Sequence, residues 1–204
     1  MSIETVFYVV SYGGSGSYMV MRYLQSLGYK VYHIHSRRRP EKLSFVGGNN
    51  SKGQPVYFEW FNDIEIPRDK VENVKVIYLY RNPIYAIYSR FTNPNHLQHI
   101  QCQNINTKIE DVVKSNSDLY GIVEFFNSYT STTTPKNYKI YCVKYEDFFE
   151  NIEEFNTVMC ILNVPHKYPT ERTKPRKMIF KNELGEIYRD LLKKMDDMDF
   201  IEIV

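Results

Sequence analysis

Cysteine is scarce and tryptophan nearly absent: the 204 residues contain three of the first and one of the second. Cys102, Cys142 and Cys160 are odd in number and lack metal-like spacing, which argues against a disulfide framework or a Cys-based metal site and suits reduced thiols. Charge of one sign is also missing. Lys and Arg total 26 against 24 Asp and Glu, a net charge of +2, so no global basic field points to nucleic acid and any anion binding must be local. No apolar run approaches the length of a membrane span, and Met1-Ser2-Ile3-Glu4 leads into the first apolar run without a basic leader. The expectation is a complete, cytoplasmic chain without membrane or nucleic-acid partners. No Asp/His cluster suggests a metal.

What is present is an ordinary globular composition, 43% hydrophobic and 25% charged, in a length that fits one domain spanning 1–204. The basic residues cluster at Arg37-Arg38-Arg39 and at Lys174-Pro175-Arg176-Lys177. The most informative stretch is at the start. Val6 to Val10 is a continuous apolar, β-rich run, the pattern of a strand buried on both faces. Gly13-Gly14-Ser15-Gly16-Ser17 interrupts it. Val20, Tyr23, Leu24 and Leu27 then recur at helical spacing and Gly28 supplies a stop. Strand, glycine-rich turn and helix aim backbone N–H groups and a positive helix end at an anion. The alternative is a flexible turn between two core elements.

Further along, residues 29–35 read as a second strand, 56–61 as a short aromatic strand, and 74–80 as a second clearly buried strand. Asn82-Pro83 has the N-cap and first-turn residues of a helix start, with Ile84, Ile87, Tyr88 and Phe91 on its apolar face. Helical patterns follow at 108–115, 118–129, 147–162 and 183–195, with a strand at 138–144. Residues 41–54 and 92–106 read as loops. Strands alternating with helices predict an α/β fold, a mostly parallel sheet of about five strands with helices on both faces. In such a sheet ligands bind beyond the carboxyl ends of the strands. The glycine loop, Arg37 to Arg39, Glu59, Arg81 and Tyr145 would all emerge there.

The run from Val76 through Arg81-Asn82-Pro83 to Ser89 offers a guanidinium fork and a hydroxyl to one phosphate. With the glycine loop and Tyr145-Glu146-Asp147, it resembles the sulfotransferase family, whose P-loop-type α/β fold uses 3′-phosphoadenosine 5′-phosphosulfate (PAPS) as sulfate donor. The resemblance implies that Tyr12, Gly13, Gly14, Ser15, Gly16, Ser17 and Tyr18 hold the 5′-phosphosulfate end. It implies that Arg81 and Ser89 hold the 3′-phosphate, that Tyr145 touches the nucleotide, and that Arg176 and Lys177 close on the 3′-phosphate. The implied activity is sulfuryl transfer to a hydroxyl or amine, with a general base and without a metal. Glu59 stands where family members carry a histidine or glutamate base, and His35 and His33 are the other candidates. The acceptor, whether carbohydrate, small molecule or peptide, is not identified; the arginine run would suit an anionic glycan.

Two departures stand out. The family commonly has a lysine or arginine where this chain has Gly14, and soluble members often have an adenine-stacking aromatic where it has Met19. Arg37, Arg38 or Arg39 could supply the missing charge. The alternatives are a sulfotransferase-like nucleotide-binding protein with weakened turnover, and a P-loop nucleoside or nucleotide kinase. The second is disfavoured because Gly16-Ser17 has no Walker lysine between its residues.

Overall fold

The computed structural model describes residues 5–35, 74–91, 106–131, 139–146, 152–162, 178–199 and 201–203. Strand β1 (Val6–Val10) runs through the glycine loop into helix α1 (Ser17–Ser26), and β2 (Lys30–Ile34) follows. Next come β3 (Val74–Tyr80), α2 (Pro83–Phe91), α3 (Ile109–Ser115), α4 (Ile122–Thr130), β4 (Ile140–Lys144), α5 (Ile152–Ile161), α6 (Lys181–Ile187), α7 (Arg189–Asp196) and β5 (Ile201–Ile203). The sheet order is β2-β1-β3-β4-β5. The pairs β1–β2, β1–β3 and β3–β4 are parallel, and β5 joins β4 antiparallel.

The chain goes from β1 to one neighbour, β2, and then crosses to the other, β3. This places the topological switch at β1, the position beyond whose strand ends open α/β sheets bind their ligands. The loop after β1 lies at that point.

Alternation along the strands divides the core in two. Tyr8, Val10, Tyr12, Val76, Tyr78, Tyr80, Ile140 and Cys142 face one side, against residues of α2, α3, α4, α6 and α7. Phe7, Val9, Val31, Ile77, Leu79 and Val143 face the other, against α1 and α5. Every one of these central-strand positions is apolar or aromatic because both faces are covered. The first side is filled largely by rings: Tyr78 stacks on Tyr129 at 4.9 Å and Tyr12 meets Phe125 edge-on at 5.6 Å, geometries favoured by the ring quadrupole. Cys142 and Cys160 are free thiols, the first buried and the second exposed.

Three expectations differ from what is observed. The helix expected at 118–129 begins at Ile122, because 118–121 turn first: Asp118 Oδ2 accepts the Val123 N–H at 2.8 Å. The final helix expected over 183–195 is two, separated at Tyr188, which leaves helical geometry at φ −103° and ψ 16°. Strand β5 was not foreseen at all. The expected strand 56–61 lies outside the described residues, as does the start of the helix expected at 147–162. The helix start at Asn82-Pro83 is as anticipated, with Asn82 Oδ1 accepting the Ile84 N–H at 3.0 Å.

Candidate anion site at the glycine loop

The site begins with the chain's need to turn sharply between β1 and α1. Gly13, Gly14 and Gly16 all have positive φ, and each lies tight against another element. A Cβ on Gly13 would overlap the guanidinium of Arg90, and one on Gly16 would overlap the ring of Tyr145. Gly14 is the most constrained. Its φ is +68°, and a Cβ there would lie 2.5 Å from the Ala86 carbonyl oxygen of α2 and 3.2 Å from Ser89 Cβ. The contact at Gly14 is with backbone, which cannot swing aside. A lysine at this position is therefore excluded in the observed conformation, and this accounts physically for the departure at Gly14.

Helix α1 opens at Ser17 with no acidic residue in its first turn, so nothing in that turn cancels the positive helix end. Ser15 and Ser17 are buried, while Tyr18 is 57% exposed beside them. The Tyr12 side chain turns into the core, where its hydroxyl donates to the Tyr120 carbonyl at 2.9 Å and its ring lies 5.1 Å from the Arg90 guanidinium. Ser15 Oγ donates to the Gly13 carbonyl at 3.4 Å, and the Gly13 N–H donates to Ser11 Oγ at 3.2 Å. The turn is thus braced internally as well as against its neighbours.

Arg81 leaves the end of β3 and donates from Nη1 to the Gly14 carbonyl at 2.8 Å. Its guanidinium lies 4.4 Å from the centre of the Tyr145 ring and 5.6 Å from that of Tyr85, within cation–π range. Glu146 Oε1 is 3.6 Å from Arg81 Nε and both side chains are largely buried. The same carboxylate accepts the Asn82 N–H at 3.3 and 3.4 Å. Burial nevertheless pushes the Glu146 carboxyl above its ordinary range, outweighing the opposing pull of its backbone hydrogen bonds and of Arg81. Arg81, Ser89 and Tyr145, all far from the glycine loop in sequence, come to it in the fold.

His33 and His35 point to the same loop from β2. His33 Nε2 is 2.8 Å from Ser17 Oγ, and His35 Nδ1 donates to the Ser11 carbonyl at 2.8 Å. Glu59, Arg37, Arg38, Arg39, Arg176 and Lys177 lie outside the described residues. Ser11 and Arg90 were not singled out from sequence, and Glu146 only as part of the Tyr145-Glu146-Asp147 motif. The one available signal was for Ser11: it follows β1 directly, and the strand register pairs Val9 with His33, which brings Ser11 opposite His35 two residues on. Among the described residues no His, Cys, Asp and Glu group could hold a metal, and no helix is long and apolar enough to cross a membrane.

A family model described as the sulfotransferase domain matches residues 66–175, over half of the chain. The matched segment contains Arg81, Ser89 and Tyr145 and begins after the glycine loop. No curated protein and no solved structure matched.

Proposed function

The chain belongs to the sulfotransferase family, and we propose that it transfers the sulfuryl group of PAPS to a hydroxyl or amine of an acceptor that is a carbohydrate, small molecule or peptide. The observation that carries this reading is the convergence on Gly14. Arg81 bonds its carbonyl, and Ser89 Cβ lies 3.2 Å from the place a Cβ on Gly14 would occupy, so the arginine–serine pair suited to a 3′-phosphate adjoins the loop suited to the 5′-phosphosulfate. The two anionic ends of one nucleotide would then be bound by neighbouring groups.

Sulfuryl transfer proceeds in line, and negative charge grows on the phosphate oxygen that leaves. Loop N–H groups beyond Gly13, from Gly14 to Tyr18, and the open end of α1 meet that charge with fixed dipoles, which need no reorganisation at the moment of reaction. Arg81 and Ser89 grip the 3′-phosphate, Tyr145 packs beside the nucleotide, and Arg176 and Lys177 close over it. Glu59 removes the acceptor's proton, a role contributing on the order of 10²–10⁴-fold; His35 and His33 are the other bases within the proposal. The domain is taken to be the whole of 1–204, working in the cytoplasm without a metal.

A second reading, a nucleotide-binding relative with weakened turnover, is favoured by one observation: Gly14 has no room for the family's lysine. The kinase reading has no such support. Transfer of labelled sulfate from PAPS to a panel of sugars, peptides and alcohols separates the first two. Incorporation that disappears in Glu59→Gln, while adenosine 3′,5′-bisphosphate still binds, supports the enzyme; bisphosphate binding with no incorporation anywhere supports the weakened relative.

A further inference from the structure

Strand register brings the ends of β3 and β4 side by side. Tyr80 pairs with Lys144 in the parallel ladder, so the next residue of each strand, Arg81 and Tyr145, leaves the sheet edge as a neighbour of the other. What the tyrosine does there follows from how little of it faces solvent. Tyr145 is 7% exposed, and its ring belongs to the apolar cluster between the sheet and helices α1 and α5. A Cβ on Gly16 would lie 2.3 Å from Tyr145 Cε2 and 2.8 Å from Cδ2. The glycine loop therefore closes directly on the ring and blocks its movement on that side. Most of the ring is spent on the protein.

The Arg81 guanidinium lies over the same ring, its central carbon 4.4 Å from the ring centre, while the Tyr85 ring is farther away at 5.6 Å. Nη1 donates to the Gly14 carbonyl at 2.8 Å, and Glu146 Oε1 lies 3.6 Å from Nε. Arginine combines a rigid planar head with a long stem that has many rotamers. A head immobilised only by its ligand costs affinity, and one already fixed by its neighbours avoids that cost. The carbonyl and the carboxylate meet the head at two of its nitrogens, and its plane can still tilt about the line joining them. A ring lying over the head, attracted to its charge, restrains that tilt.

We propose that Tyr145 is a positioning residue for Arg81: its ring, in contact with both Gly16 and the guanidinium, sets the orientation in which Arg81 receives a 3′-phosphate. Preference for a 3′-phosphorylated nucleotide over one with a 5′-phosphate alone then depends on an aromatic face at residue 145. The phenolic hydroxyl is dispensable for it. The inference deepens the proposed function and rests on its assignment of Arg81 to the 3′-phosphate.

Calorimetric titration of the full chain with adenosine 3′,5′-bisphosphate and with adenosine 5′-monophosphate gives the ratio of the two affinities. Both ligands carry the base, so any contact of Tyr145 with adenine cancels, and the ratio reads what acts on the 3′-phosphate. The wild-type protein should prefer the bisphosphate. Tyr145→Leu should shrink that preference by about 3- to 10-fold, and Tyr145→Phe should keep it. Phenylalanines with increasing ring fluorination, placed at residue 145, nearly preserve the shape of the side chain while draining negative charge from its face. Across that series the preference should fall step by step, which a merely space-filling role would not produce. If Tyr145→Leu does not fold, the fluorinated series decides alone. Equal weakening of both ligands in Tyr145→Leu, or a preference indifferent to fluorination, would overturn the positioning role and leave the donor assignment standing. A wild-type protein that binds neither ligand, or both equally, would sink the donor assignment and the positioning role with it.

Discussion

Adding one carbon to Gly14 should disturb this protein more than adding one to any open glycine. The alanine methyl would enter at 2.5 Å from the Ala86 carbonyl oxygen, on a backbone at φ +68°. Left-handed geometry disfavours an L-residue by about 1–2 kcal/mol, and forcing a methyl into a filled site adds about 1–3 kcal/mol. Gly14→Ala is therefore expected to lose about 2–5 kcal/mol, which for a chain of this size lowers Tm by on the order of 10 °C. Gly28 is the internal control. It ends α1 at φ +87° with nothing within 4 Å of the place a Cβ would occupy, so Gly28→Ala should show the backbone component alone, about 1–2 kcal/mol. Urea unfolding of both variants, with equal m-values as the check on two-state behaviour, gives the difference directly. Gly14→Lys, which restores the residue common in the family, should be destabilised at least as much as the alanine variant and should not gain sulfate transfer. Equal stability of Gly14→Ala and Gly28→Ala would refute the packing argument, and a faster Gly14→Lys enzyme would refute its consequence for catalysis.

Other consequences follow from the same geometry. Arg81→Met removes a charged donor from the 3′-phosphate and should weaken bisphosphate binding by about 1.5–3 kcal/mol, measurable by calorimetry; an unchanged affinity would remove Arg81 from the site. Burial raises the Glu146 carboxyl, so the folded state holds that proton more tightly than the unfolded chain does. Stability should thus fall as pH rises from the ordinary glutamate range through the raised one, and Glu146→Gln should flatten that part of a Tm-against-pH curve. A slope identical to wild type would show that another group carries it. Tyr12→Phe loses one buried hydrogen bond to the Tyr120 carbonyl and should cost about 0.5–1.5 kcal/mol in thermal unfolding without weakening bisphosphate binding.

The opening unit was legible because each part carries its own local signal: an apolar run, three glycines, then a helical period ending in Gly28. Asn82-Pro83 was legible to the residue for the same reason. The break at Tyr188 was hidden because Leu184, Tyr188, Leu191 and Met195 are all buried and keep one apolar period across it. Strand β5 is three residues long, alternating in type, and exists only because β4 offers an edge to pair with. The site divides in the same way. Gly14 could be seen to depart from the family, but the reason lies in the Ala86 carbonyl, 72 positions away. The hydrogen bond from His35 to the Ser11 carbonyl needed the β1–β2 register, and Arg90 under Gly13 needed the position of α2 against the loop. Local patterns survive in a sequence; contacts between elements do not.

The central claim is that the glycine loop, Arg81 and Ser89 together bind the two anionic ends of a 3′-phosphorylated adenosine nucleotide. The most direct test is the thermal stability of the purified protein with adenosine 3′,5′-bisphosphate and, separately, with ATP and Mg²⁺. The bisphosphate at 100 times its dissociation constant should add about 2.7 kcal/mol to the stability of the folded state, while ATP with Mg²⁺ at the same concentration should add much less. Stabilisation by ATP with Mg²⁺ and none by the bisphosphate would contradict the account.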